Sequence, residues 1–549
     1  MTGDPRLKLA APNSAQPLVT RGYRGQSRRN YLIQLVDDDA QEQQACSYQA
    51  PLGARGAFYG NRRSNWVDHG ILPIKAFRQV VDQWICKRSA DLKFSVDVGI
   101  TFEGFLQLGA HPQLTDLFRR KAPAYAEGAY WRAAKHLGDS GPSAPQFWNE
   151  RYRNSNIHAV LVFHAAAGDY ARDVMDFETS VLSFTDSAST PGSCVMEKPW
   201  IECGQPLEKP NEIHFGMVDG LSAPRFYGIH AKKQLLAEKA INRHMPGELL
   251  LGHEKNDGSN PWLVPGANVQ ASMPKPISPV SAQKVYGAFF RDGTFGVLRR
   301  MYQHVPKLEA YLQSQAAPLH GSENTDYFAA WLKAKMLGRW PNGERVSEKI
   351  DPSTEDENDL TDAQKRRMTA DTSPTGAVGM NDFEYLDDRK GLQCPFGAHI
   401  RRMNPRDDPV VPRLRRPLLR RGLPYGEKYD PGKNNTSDDR GMLGLFFCAS
   451  LEEQFEHLLG NWANRNPMGM PFAQDGKDPL IGNHEPNSSQ RMGNQFEIPM
   501  SDAPPIVLKG LDAFVETRGT CYAFFPSVPA LTTIASGAIA TASRFLQRS

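Results

Sequence analysis

The 549-residue sequence is poor in cysteine, carries almost no excess charge of either sign and has no long apolar run. Seven cysteines, at 46, 86, 194, 203, 394, 448 and 521, form no CxxC or CxxCH motif, which argues against a zinc knuckle, a cysteine-tethered cofactor and a disulfide framework. Reduced thiols in a cytoplasm are the expectation. Lys and Arg total 64 against 61 Asp and Glu, a net charge of +3, so nothing favours nucleic acid or an anionic membrane surface as partner. The first residues, MTGDPRLKLAAPNSAQPLVTRGYRG, lack the apolar run of a secretory signal. The weakly apolar ALTTIASGAIATA at 530–542 is too short to cross a bilayer.

Glycine (46) and proline (41) are plentiful, which predicts a folded but loop-rich chain whose length suits two domains. YLIQLV at 31–36 reads as a strand. Ile74, Phe77, Val81, Trp84 and Ile85 recur at helical spacing over 73–86. Alternation of Phe94, Val96, Val98, Ile100 and Phe102 predicts a half-buried strand, IHAVLVF at 157–163 another, and 169–182 a helix. Strand, helix, strand, strand, helix is the order of a ferredoxin-like split βαβ unit. A second copy begins near Val285, with a strand at 295–298 and a helix from Pro306. Strands are expected at 396–400 and 442–449, then a helix holding Leu451 to Trp462, then a strand at 521–525. The fold class expected is therefore α+β, with two ferredoxin-like domains at 1–284 and 285–549. The polar connections at 252–282, 341–381, 427–439 and 465–495 read as lids or surface insertions.

Three segments concentrate reactive groups. In IHFGMVDGLSAP (213–224), glycines on both sides of Asp219 could project its carboxylate into a cavity; a turn aspartate capping its own backbone is the plainer alternative. In CPFGAHIRRMNPR (394–406), His399 could ligate haem iron, with Arg401, Arg402 and Arg406 near enough to pair with propionates; a solvated basic face is the alternative. In RRPLLRRGLPYG (415–426), Arg420 precedes a glycine turn, and a basic surface strand would look the same.

In combination and in order, these segments resemble the dye-decolorizing peroxidase family along nearly the whole chain. The resemblance includes FEGFLQLG (102–109), YAEGAYWRAAKHLGD (125–139), HFGMVDG (214–220), DGTFGVLRRMYQHVPKLEAYL (292–312) and LGRWPNG (337–343). It continues through CPFGAHIRRMNPR, LLRRGLPYG, RGMLGLFFCASLEEQFEHL (440–458), DPLIG (478–482) and RGTCYAFFPS (518–527). It implies two ferredoxin-like domains in a dimeric α+β barrel-like architecture, with non-covalent haem b, one per chain, held mainly by the C-terminal domain. By the same resemblance Asp219 is the distal aspartate, His399 the proximal haem ligand and Arg420 the distal arginine, with Arg421 as fallback. His214 and Arg406 match positions near the haem propionates. Gly444 stands where the family commonly has a phenylalanine, and the insertions make this one of the longer members.

The implied activity is reduction of hydrogen peroxide with one-electron oxidation of bulky aromatic donors such as dyes or phenolics. Peroxide heterolysis needs a proton carried from the inner to the outer oxygen and stabilisation of the charge on the departing one. Asp219 and Arg420 have the chemistry for those two tasks. Asp478 is one candidate acceptor for the second ring nitrogen of His399, and Trp462, Tyr425 and Tyr429 are candidate electron relays, though core or rim aromatics is the plainer reading. A haem-binding or haem-delivery protein without catalysis is the rival, which has no need of a distal acid–base pair; a haem-free barrel scaffold is a third. Homo-oligomerisation is left open.

Overall fold

The structure, a computed structural model, describes residues 6, 14–20, 26–37, 70–86, 94–153, 156–166, 169–183, 201–209, 211–262, 287–320, 325–346, 361–370, 381, 383–408, 415–432, 439–465, 476–484 and 494–540. The boundary expected near 284, and much of the connections at 252–282, 341–381 and 465–495, lie outside them.

In the first half, β1 (Gln26–Val36), α1 (Ile74–Val81), β2 (Ser95–Ile100), β3 (Ala159–Ala166), α2 (Tyr170–Ser183) and β4 (Ile201–Gly204) follow in βαββαβ order. The second half repeats that order. Its elements are β5 (Thr294–Gln303), α3 (Val305–His320), α4 (Thr325–Leu337), α5 (His399–Met403), β6 (Leu419–Arg420), β7 (Leu423–Tyr425), β8 (Gly441–Cys448), helix α6 (Leu451–Ala463) and β9 (Val515–Phe525). In each half the first strand is central, flanked by the third and fourth, with the second outside the third: β4-β1-β3-β2, and β9-β5-β8 with β6 and β7 on β8. This is the ferredoxin-like arrangement twice over, and the chain is α+β. The halves meet edge to edge where Phe524 of β9 pairs with Ile100 of β2, giving one continuous sheet.

Local sequence explains most elements. In α1, Ile74, Phe77, Val80 and Val81 are buried on one face, and Pro73 stands at the N-cap. Helix α6 starts at Ser450, whose hydroxyl accepts the Glu453 amide. Two expectations need correction. Strand β2 is buried at all six positions rather than on alternate ones. Its polar face is covered by residues 14–20: Asp97 accepts the Leu18 amide, and Gln16 bonds both the amide and the carbonyl of Val98. Residues 396–400 are not a strand either; the chain turns there into α5, and Phe396 and Ala398 are buried against it. An apolar pair flanking a glycine fits either conformation, and packing decided.

One face of the second half-sheet is the floor of the site. Alternate residues Arg299, Met301 and Gln303 of β5, with Met442, Gly444 and Phe446 of β8, line a cavity of about 320 Å³. Helices α5 and α6 form walls, and residues 217–224, reaching over from the first half, close it.

Candidate active site

His399 opens α5 and lines the cavity. Its Nδ1 is 2.9 Å from Oδ2 of Asp478, while the other oxygen of Asp478 accepts the amides of Leu480 and Ile481 at 2.9 and 3.0 Å. Asp478 has no solvent exposure. Burial alone would push its carboxyl up, but His399, Arg402 and the Ile481 amide hold it below the usual carboxylate range. A carboxylate on Nδ1 fixes the ring tautomer and leaves Nε2 as the ring nitrogen for a ligand. Sequence offered Asp478 only as one candidate, and folding brings it 79 residues back to the histidine.

The arginines after His399 divide by task. Arg401 is bound by Asp408, Asp388 and the Cys394 carbonyl, and Arg402 by the carbonyls of Trp462, Arg465 and Gly476. Both bolt α5 in place, and neither lines the cavity. Arg406, held at φ 52°, does line it. It stacks 3.8 Å from the Phe383 ring and donates to neutral oxygens, the Asn381 and Phe383 carbonyls and the Asn381 side chain. Its charge is therefore still available to an anion.

Asp219 follows a two-stranded turn, Glu212–Ile213 against Met217–Val218; Gly216 within the turn and Gly220 just after Asp219 take φ of 68° and 80°. Those left-handed angles are what glycine supplies to swing the carboxylate inward. Arg420 comes from β6, in register with Phe446 of β8, and its Nη2 is 3.5 Å from Oδ1 of Asp219. Their side chains are 36% and 44% exposed, and both line the cavity. Partial desolvation inside the cavity would raise the Asp219 carboxyl, yet Arg420, the Gly220 amide, His399 and Arg339 together hold it below its ordinary value. Arg421 points elsewhere, donating to the Leu18 and Val19 carbonyls, so Arg420 is the arginine of this pair that reaches the cavity.

His214 is not on the cavity wall: its Nε2 lies 2.8 Å from the Tyr425 carbonyl beneath the turn carrying Asp219. The pocket is not widened at Gly444, because Phe446 leans over it; a Cβ there would lie 2.3 Å from that ring. Trp462 lines the cavity but is buried, Tyr425 is buried with Arg300 stacked on its ring, and Tyr429 is half-buried. Sequence reasoning missed Arg339, on the cavity wall, and Phe446. The turn glycines of LGRWPNG were the available signal for the first.

The donor set suits haem: an imidazole nitrogen for iron, apolar walls including Leu458, Leu459 and Phe446 for the ring, and Arg406 for a carboxylate. No protein-family model matches the chain. Curated relatives do. The chain is 25% identical over 468 residues to dye-decolorizing peroxidase msp1 of Mycetinis scorodonius, covering 80% of this chain and 76% of that one. It is 26% identical over 395 residues to a dye-decolorizing peroxidase of Exidia glandulosa (70% and 66%). Multifunctional dye peroxidase DyP2 of an Amycolatopsis species is 27% identical over 402 residues (70% and 71%). Among solved structures, the decolorizing peroxidase of Auricularia auricula-judae superposes with a TM-score of 0.63 at 19% identity, over 95% of this chain and 99% of that one. A dye-decolorizing peroxidase solved with 2,6-dimethoxyphenol gives 0.64 at 21%, over 96% and 100%. The class these likenesses point to is that of the peroxidases, which are oxidoreductases. Over most of its length the chain is similar to dye-decolorizing peroxidases, and it shares their fold.

Proposed function

We propose that the chain reduces hydrogen peroxide and oxidises bulky aromatic donors by one-electron steps, using one non-covalent haem b held by His399, with the division of labour 1–284 and 285–549. The observation that carries this reading is that the Asp219–Arg420 pair and His399, backed by the buried Asp478, face one cavity. Haem bound there would supply the redox-active iron that takes two electrons to peroxide and recovers them from the donor. His399 would hold the iron through Nε2, with Asp478 orienting its ring and increasing its electron donation. Asp219, ionised into the acidic range, accepts the proton of the incoming peroxide and returns it to the outer oxygen. Arg420 stabilises the charge on that departing oxygen, within reach of the same carboxylate. Arg406 would take a propionate, and His214 supports the Asp219 turn through the Tyr425 carbonyl.

The test is stopped-flow mixing of haem-loaded variants with peroxide. Arg420→Leu is expected to slow the first spectral change at least ~100-fold, and Asp219→Asn by ~10- to ~10,000-fold depending on whether water substitutes as base. Both should retain haem, whereas His399→Ala should not hold it stably. Near-unaltered rates in both distal variants would overturn the reading in favour of haem carriage.

A further inference from the structure

The turn 338–343 touches both sides of the site. At one end Gly338, at φ 90°, is packed so closely that a Cβ would lie 2.4 Å from Ile400, the residue after His399. At the other, Gly343, at φ 93°, would place a Cβ 2.4 Å from Leu221, two residues after Asp219. Between them the Pro341 carbonyl accepts the Val218 amide at 3.0 Å, so the residue before Asp219 hangs on this turn as well. The turn is itself rigid: the Trp340 amide donates to Glu344 and the Gly343 amide to Trp340, and Arg339 and Arg345 form an antiparallel bridge. Trp340 is 2% exposed and stacks on Tyr327 of α4.

Arg339 is the side chain that spans turn and loop. It is 5% exposed, and its Nη1 donates to the Gly343 carbonyl at 2.8 Å while Nη2 donates to the Ser222 hydroxyl at 2.9 Å. It also lines the cavity beside Asp219, where its charge acts in the same sense as that of Arg420. A planar guanidinium with donors at both ends fixes an angle as well as a distance, which an ammonium cannot do equally.

We propose that Arg339 is the positioning residue of the distal carboxylate: by clamping Ser222 to the 338–343 turn it sets where Asp219 stands relative to the histidine side of the site. The inference rests on Asp219 having the role given above. Its consequence is selective. Losing the clamp misplaces one carboxylate without touching His399, Asp478 or the donor side, and displacements of about 1 Å in such groups cost on the order of 100-fold in rate.

The experiment compares Arg339→Gln, Arg339→Lys and Ser222→Ala with Asp219→Asn, all haem-loaded, together with amide hydrogen exchange of residues 217–224 in the haem-free and loaded proteins. For Arg339→Gln, kcat/KM for peroxide is expected to fall ~10- to ~100-fold with the KM of the aromatic donor within ~2-fold and the haem spectrum unchanged. Arg339→Lys should recover part of that loss, Ser222→Ala should cost a few-fold, and exchange at 217–224 should quicken in Arg339→Gln and Ser222→Ala even without haem. If Arg339→Gln does not fold, Ser222→Ala, at a half-buried hydroxyl, carries the same two readouts. Unaltered peroxide kinetics and exchange in the arginine and serine variants, with Asp219→Asn impaired, would overturn the clamp and leave the role of Asp219 standing. A silent Asp219→Asn would instead remove the reading beneath it.

Discussion

At the scale of single residues, the site depends on two carboxylates whose surroundings hold them ionised. Asp219 lies below its ordinary value because Arg420, the Gly220 amide, His399 and Arg339 outweigh its partial desolvation. A depressed carboxyl remains a base as pH falls past the ordinary value near ~4, and its stabilising pairing, present above that value, is lost only as pH drops through the lower folded one. Peroxide reactivity should therefore persist into the acidic range, and its acid limb should vanish in Asp219→Asn. A limb near ~6.5, the range of an imidazole, would contradict this. Asp478 acts through His399 instead. Asp478→Asn keeps an oxygen for the Leu480 and Ile481 amides but removes the charge on Nδ1. Haem affinity should fall ~10- to ~100-fold, as judged by the rate of transfer to an apo-globin acceptor. His399 and Asp219 could be picked out in the sequence because glycine turns and a basic run surround them. Asp478 could not be assigned, since a pairing across 79 residues leaves no local mark.

Among the elements, β8 decides the shape of the distal wall. MLGLFF reads as a strand with a ring missing at Gly444, and alternation puts Met442, Gly444 and Phe446 on the cavity face. Only the packed strand shows that Phe446 covers the glycine, opposite Arg420 in register. Gly444→Ala would put a methyl 2.3 Å from that ring and 3.0 Å from the end of Met301. Overpacking of this kind costs ~1–3 kcal/mol. The variant should melt several degrees lower and bind haem more weakly, because the ring has the cavity to move into. An unchanged melting temperature with full haem occupancy would show that β8 yields without disturbing the site. The element order was legible because α3 and α6 carry apolar residues at helical spacing, while β5 and β9 hold short apolar runs of strand length. Residues 396–400 were misread because five residues are too few for either period to show.

Across the whole molecule, the two halves are joined by more than the Phe524–Ile100 edge. Arg299 of β5 makes a two-pronged pair with Asp139 from the first half, at 2.6 and 2.9 Å, and also reaches the Thr520 hydroxyl of β9. Both partners are buried, so removing one strands the other: Arg299→Met should cost ~3–5 kcal/mol in denaturant unfolding. Replacing Asp139 by Leu as well should recover much of that loss. Additive losses in the double variant would mean that the pair is not what couples the halves. Arg132 and Glu456 form a second buried bridge between the halves, with 2.6 Å contacts.

What the sequence determined by itself is the part written in short-range pattern. The βαββαβ order occurs twice because side-chain period selects strand or helix, and the glycines around Asp219 announce a turn because few other residues take a positive φ. The motif resemblance named His399, Asp219 and Arg420. Tertiary structure alone decided that Asp478 meets His399, and that Arg401 and Arg402 are bolts while Arg406 is left for an anion. It also placed Arg339 between turn and loop. Each of these is a choice of partner between segments far apart in the chain, and the burial of a charge or the close packing of a ring, which makes that choice, exists only once the sheet has brought those segments together.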